Sequence, residues 1–68
     1  MAIVTIDMRN GRTDEQKHKL ASALLDVISK ATGESREGIF MIMRETRGIN
    51  FVEDGHHLPE YVPPPDHT

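Results

Sequence analysis

The sequence predicts an α+β domain: one βαβ unit with parallel strands and a short C-terminal hairpin, assembling into an oligomer. Three observations carry this. A β-branched run stands at the N-terminus, Ala2-Ile-Val-Thr-Ile-Asp-Met8. Apolar residues then recur at helical spacing through the twenties. A second apolar run, Ile39-Phe-Met-Ile-Met43, follows a polar turn. Strand, long helix and strand in that order place the two strands parallel, joined by a right-handed crossover.

Each element has a local reason. Residues 2–8 are β-branched enough for a strand with at least one buried face. Gly11 then breaks the pattern and permits a tight turn. Thr13 followed by Gln16 is a capping-box pattern, and Asp14 and Glu15 fall where the helix dipole favours negative charge. Leu20, Leu24, Val27, Ile28 and Ala31 make one apolar stripe, and Gly33 follows as a helix stop, so the helix runs from about 14 to 32. The nearly continuous apolar run from Ile39 to Arg44-Glu45 fits a strand buried on both faces. Beyond Gly48, residues 49–52 read as a short extended piece, half of a small hairpin, with Asp54-Gly55 as its turn. Pro63, Pro64 and Pro65 exclude helix and central strand, so residues from about 59 to 68 form an extended tail that either frays or lies across a neighbouring subunit.

The chain has 68 residues and no cysteine. A domain of this size buries only about 60% of the surface its unfolded chain exposes. Small scaffolds make up that deficit with disulfides, metals or partners. Without cysteine, disulfides and thiolate metal sites are excluded, and subunit association is the expected route. The formal charge is −3 with no basic cluster, which argues against nucleic acid. No apolar run has the length of a membrane span, and no leader pattern is visible, so a cytoplasmic protein is the expectation.

Several residues are candidates for chemistry. Arg9 and Arg12 lie where a strand hands over to a helix, and ligands of open α/β sheets bind beyond the carboxyl ends of strands. Arginine's planar fork suits a carboxylate. The alternative is a pair of surface arginines flanking a turn. Glu53 follows Ile49-Asn50-Phe51-Val52, an apolar approach that would bury it in part and tune it for acid–base work. Otherwise it is a solvated loop acid. Phe40 and Phe51 are either core or the apolar wall of a pocket. His56-His57 reads as a loop pair without a metal, because adjacent side chains diverge. Met41 and Met43, alternating with Phe40 and Ile42, read as packing on a buried strand or a subunit interface. No Ser-His-Asp arrangement, phosphate loop or dinucleotide fingerprint occurs.

Asp7-Met8-Arg9, Gly11 to Lys17, Val27-Ile28-Ser29, Ala31-Thr32-Gly33-Glu34, Ile39-Phe40, Gly48-Ile49-Asn50-Phe51-Val52-Glu53, His57-Leu58-Pro59 and Tyr61-Val62-Pro63 together resemble the tautomerase superfamily. Its small subunits resemble 4-oxalocrotonate tautomerase. The similarity is greater to the α-type subunits of the branch that dehalogenates trans-3-haloacrylates, and it spans nearly the whole chain. The resemblance implies a βαβ protomer with a C-terminal hairpin, paired protomers, and three pairs in a hexamer. In the dehalogenase branch the pairs are αβ heterodimers, and a β-type subunit supplies an N-terminal proline. Position by position, it implies that Arg9 and Arg12 bind the substrate carboxylate and that Glu53 activates water. Phe40 and Phe51 fall at apolar pocket positions, and no metal or cofactor is implied. Phe40 stands where the tautomerase branch has an arginine. Ala2, preceded by Met1, stands where the family has its proline, so this chain is not expected to supply the catalytic amine.

The expected function is therefore that of an α-type subunit of a cofactor-independent hydrolytic dehalogenase of trans-3-haloacrylates, with a small carboxylate as substrate and a proline-initiated partner. The alternatives are an isomerase subunit acting on unsaturated keto acids and a non-catalytic structural subunit of such a hexamer.

Overall fold

The computed structural model describes residues 1–64. Strand β1 (Ala2–Arg9) leads into helix α1 (Asp14–Thr32), then strand β2 (Ile39–Thr46), then a hairpin of β3 (Val52–Glu53) and β4 (His56–His57). β1 and β2 are parallel, with Ala2 opposite Ile39 and Arg9 opposite Thr46. Both strands run one residue beyond the predicted ends. The antiparallel β3–β4 pair forms a separate small sheet.

The start of α1 follows from its sequence. Thr13 Oγ1 accepts from the Gln16 N–H at 3.1 Å, and Gln16 Oε1 accepts from the Thr13 N–H at 2.9 Å. Two of the helix's orphan donors are thereby satisfied. Gly33 ends the helix in the left-handed conformation, its N–H donating to the Ser29 carbonyl. Lys17 in the first turn reaches Glu45 on β2, Nζ to Oε1 2.5 Å, and ties the helix to the sheet. That contact raises the Lys17 pKa.

One helix covers one face of a two-stranded sheet. Val4, Ile6 and Met8 of β1 and Ile39, Met41 and Met43 of β2 alternate toward α1, which presents Leu20, Ala21, Leu24, Leu25 and Ile28 as half-buried residues. Val27 lies at the rim of this stripe and is 63% exposed. Ala31 is also exposed. The stripe is therefore centred closer to Ala21 and Ile28 than the spacing predicted.

β2 corrects a second expectation. It is not buried on both faces within the protomer: Phe40 is 54% and Ile42 37% exposed, beside Ile3 at 63%. These side chains stand on the sheet face opposite α1, and among the described residues no element covers it. Further along the same face, Arg44 forms a two-point ion pair with Asp7, its register partner, which lowers the Asp7 pKa. The radius of gyration is 14.6 Å, against about 11 Å for a compact chain of this length. The described chain is a thin slab whose outer face is apolar and exposed, the kind of patch that marks an interaction surface.

The tail also departs from expectation. Residues 58–62 fold back over their own protomer, across the carboxyl end of β1. Leu58 N–H donates to the Phe51 carbonyl at 2.9 Å. The Glu60 carboxylate accepts from the Gly48 N–H and pairs with Arg47. Residues 65–68, the end of the predicted tail, lie outside the described residues. Gly48 is buried, and a Cβ there would fall 2.1 Å from the Pro59 carbonyl oxygen. Backbone cannot swing aside as a side chain can. Gly48→Ala is expected to destabilise the fold by about 1–3 kcal/mol, with a Tm loss of about 4–8 °C per kcal/mol in a domain of this size. An unchanged thermal melt would show that the tail is not seated on Gly48.

Candidate active site

The parallel order brings the carboxyl ends of β1 and β2 to one edge, and the elements described after β2 are built there. Arg9 is the last residue of β1. Gly11, at φ 134°, turns the chain, and Arg12 follows just before the helix cap. Both arginines are half-buried. Arg9 Nη1 donates to the Pro59 carbonyl at 2.9 Å, and Arg12 Nη1 donates to the Arg9 carbonyl at 3.1 Å. The Tyr61 ring lies under both guanidinium groups, its centroid 4.3 Å from Arg12 Cζ and 5.5 Å from Arg9 Cζ.

The electrostatics separate these two arginines from the rest. Arg36 pairs with Asp26, Arg44 with Asp7 and Arg47 with Glu60. Among the described residues, Arg9 and Arg12 have no carboxylate within ion-pairing distance. Two adjacent cations thus stand at the carboxyl edge of the sheet with no ion-paired carboxylate among the described residues, although Glu60 lies near enough to Arg9 to feel its charge; such a pair is able to take an anion. Each guanidinium uses one donor on a backbone carbonyl, so most of its N–H groups remain available.

Glu53 is placed differently from the expectation. It closes β3 at the mouth of a two-residue turn in which Asp54 and Gly55 both take positive φ, 51° and 79°, the geometry of a tight hairpin. It is exposed rather than partly buried, because in so short a hairpin the apolar residues before it do not enclose it. It makes no side-chain ion pair among the described residues. Its cross-strand partner is His56. His56 and His57 thus form strand β4 rather than a loop, and His57 Nδ1 lies 2.7 Å from the Ile49 carbonyl oxygen. The predicted extended piece at 49–52 is instead a 3-10 turn over Gly48–Asn50 that leads into β3. Phe51, half-buried, sits between that turn and β3.

Phe40 does not join the arginines within one protomer. It pairs with Ile3, whereas Arg9 pairs with Thr46. Six strand residues at roughly 3.3 Å each put them about 20 Å apart. Ala2 lies at the same far end as Phe40, its N–H donating to Glu34 Oε2 at 3.0 Å, with the Met1 ammonium 3.8 Å from Glu34 Oε1. The structure therefore unites Arg9, Arg12 and the tail at one edge, places Glu53 on the hairpin after β2, and leaves Phe40 and Ala2 at the other end.

Sequence reasoning missed Tyr61, Pro59 and Glu60. Tyr61 is the only tyrosine, set among prolines that stiffen its backbone, and that combination was the available signal. Glu60 anchors this strap. The Gly48 N–H above all, then Arg47 and the nearby charge of Arg9, hold its carboxyl below the usual glutamate range against an opposing desolvation. A folded-state pKa below the unfolded one gives stability that is full above about pH 4.3 and is lost as the pH falls through the lowered value. The stability gap between the protein and its Glu60→Gln variant is thus expected to shrink between about pH 6 and about pH 3. A gap constant over that range in acid-dependent melts would show that Glu60 is not coupled to folding.

Comparison with known proteins agrees with the fold. Residues 3–59 match the family described as Tautomerase enzyme. The chain belongs to this family. It is 35% identical to the 2-hydroxymuconate tautomerase of Bacillus subtilis (strain 168) over 60 residues, covering 88% of this chain and 97% of that one. Among solved structures it is similar to trans-3-chloroacrylic acid dehalogenase covalently inactivated by the mechanism-based inhibitor 3-bromopropiolate. There the identity is 63%, the TM-score is 0.81, and the match covers 88% of this chain and 98% of that one. It is also similar to a heterohexamer 4-oxalocrotonate tautomerase from Chloroflexus aurantiacus J-10-fl, at 28% identity and TM-score 0.79, covering 84% and 92%. Among the described residues, no helix is long and apolar enough to cross a membrane.

Proposed function

We propose that this chain is the α-type subunit of a cofactor-independent hydrolytic dehalogenase of trans-3-haloacrylates, completed by a proline-initiated partner in a hexamer. The observation that carries the reading is the arginine pair: Arg9 and Arg12 side by side, half-buried, with no carboxylate ion-paired to either among the described residues. The similarity to trans-3-chloroacrylic acid dehalogenase at 63% identity supports the substrate class.

In this mechanism Arg9 and Arg12 hold the substrate carboxylate and draw electron density toward it, which leaves the halogen-bearing carbon electron-poor. Glu53 takes a proton from water, and the hydroxide adds to that carbon. An ammonium group from the partner protonates the neighbouring carbon. The resulting halohydrin loses halide and a proton and becomes malonate semialdehyde. Phe51, and Phe40 contributed by another copy, wall the site against bulk water and strengthen the charged contacts. The exposed Ile3, Phe40 and Ile42 face and the exposed Glu53 both support a site completed by assembly.

Glu53→Gln tests the chemistry. The amide keeps shape and hydrogen bonding but cannot accept a proton from water. Fold and assembly are expected to persist, while halide release from 3-chloroacrylate falls by about 10²-fold or more, mainly in kcat. Near-normal halide release from a correctly assembled variant would remove Glu53 from the mechanism.

A further inference from the structure

We propose that Tyr61 is a positioning residue of this site: its ring holds the Arg12 guanidinium, and less closely that of Arg9, so that their N–H groups stay open to a substrate carboxylate. The inference rests on the reading of the arginine pair as a carboxylate clamp. A bare pair of neighbouring guanidinium groups repels, and each side chain is long and loses considerable rotamer freedom when fixed. A protein acid would hold them, but it would occupy the donors that the substrate needs. An aromatic ring attracts the cation through its face and accepts no in-plane hydrogen bond. At 4.3 Å from Arg12 and 5.5 Å from Arg9, one ring can steady both groups without competing for the anion.

The ring is itself held in place. Pro59 and Pro63 flank it with fixed φ. Two residues upstream of it, the Pro59 carbonyl accepts from Arg9, and the preceding Glu60 is anchored on Gly48 N–H and Arg47. Its seat is Gly11, where an added Cβ would stand 2.9 Å from Tyr61 Cδ2 and where φ is 134°. The hydroxyl makes no hydrogen bond among the described residues, so the face of the ring is the working part.

The test uses the assembled protein and propionate, an unreactive carboxylate, with affinity read by calorimetry. Tyr61→Phe keeps the ring and is expected to bind within about twofold of the parent. Tyr61→Leu keeps apolar bulk without the aromatic face and is expected to weaken binding about fivefold or more, with Tm and assembly retained. In turnover the same loss should fall on KM, with kcat little changed. In an Arg12→Ala background, Tyr61→Leu should add little, because its effect passes through Arg12. Unchanged binding in Tyr61→Leu while Arg12→Ala binds poorly would overturn the proposal and leave the arginine clamp standing. Additive losses, or a loss that only follows a fall in Tm or assembly, would also overturn it. If Arg12→Ala itself binds propionate normally, the clamp reading fails and the proposal falls with it.

Discussion

Replacing Arg9 or Arg12 by alanine is expected to lower kcat/KM for a haloacrylate by about 2–5 kcal/mol in transition-state free energy. The size follows from where the charge is read. A carboxylate held at a half-buried edge beside an apolar wall gains little from water, so a lost charge-assisted contact is not replaced. Arg12→Lys is not a neutral control, because a point charge neither presents a planar fork nor lies flat on Tyr61. Steady-state kinetics of halide release on the assembled variants make the check. If both alanine variants turned over as the parent does, the pair would be a surface turn and nothing more.

The second large effect concerns the partner. Purified alone, this chain is expected to release almost no halide, and a proline-initiated subunit is expected to restore activity. Two facts set the expectation. The chain carries Met1-Ala2 where the resemblance places proline. Ala2 and Arg9 are also the first and last residues of the 8-residue β1, about 23 Å apart at roughly 3.3 Å per residue. One protomer's N-terminus does not reach its own arginines, so the proposed mechanism draws its acid from another subunit. A retained methionine further displaces the amine by about 3.3–3.6 Å, where a misplacement of about 1 Å can already cost about 10²-fold. Halide release should be measured with the terminus verified by intact mass and the assembly by light scattering. Full activity from a homo-oligomer beginning at Met1, or a compact stable monomer at micromolar concentration, would refute the two-subunit reading.

The sequence by itself determined the elements. Thr13 and Gln16 start the helix and Gly33 stops it through contacts within a few residues. β-branched runs make β1 and β2, and Asp54-Gly55 makes the hairpin turn. Each of these depends on local backbone preference, which neighbouring residues carry in full. The sequence also marked Arg9 and Arg12 as site candidates, because strand-to-helix handover at the carboxyl edge is a property of the βαβ order itself. What it left open was which faces are covered. Alternation cannot distinguish a strand buried by its own chain from one awaiting a partner, so the apolar run fits a strand buried on both faces while Phe40 and Ile42 stand exposed. For Glu53 the sequence leaves both partial burial and a solvated loop acid open for a similar reason: an apolar approach along the chain does not enclose a residue in space, and Glu53 is exposed. Only the tertiary structure placed Tyr61 under the two arginines, some fifty residues away along the chain. Only it separated Phe40 and Ala2 from them by the length of a strand. Local propensity acts between near neighbours, whereas the charge environment of a guanidinium depends on whatever the fold brings to its face.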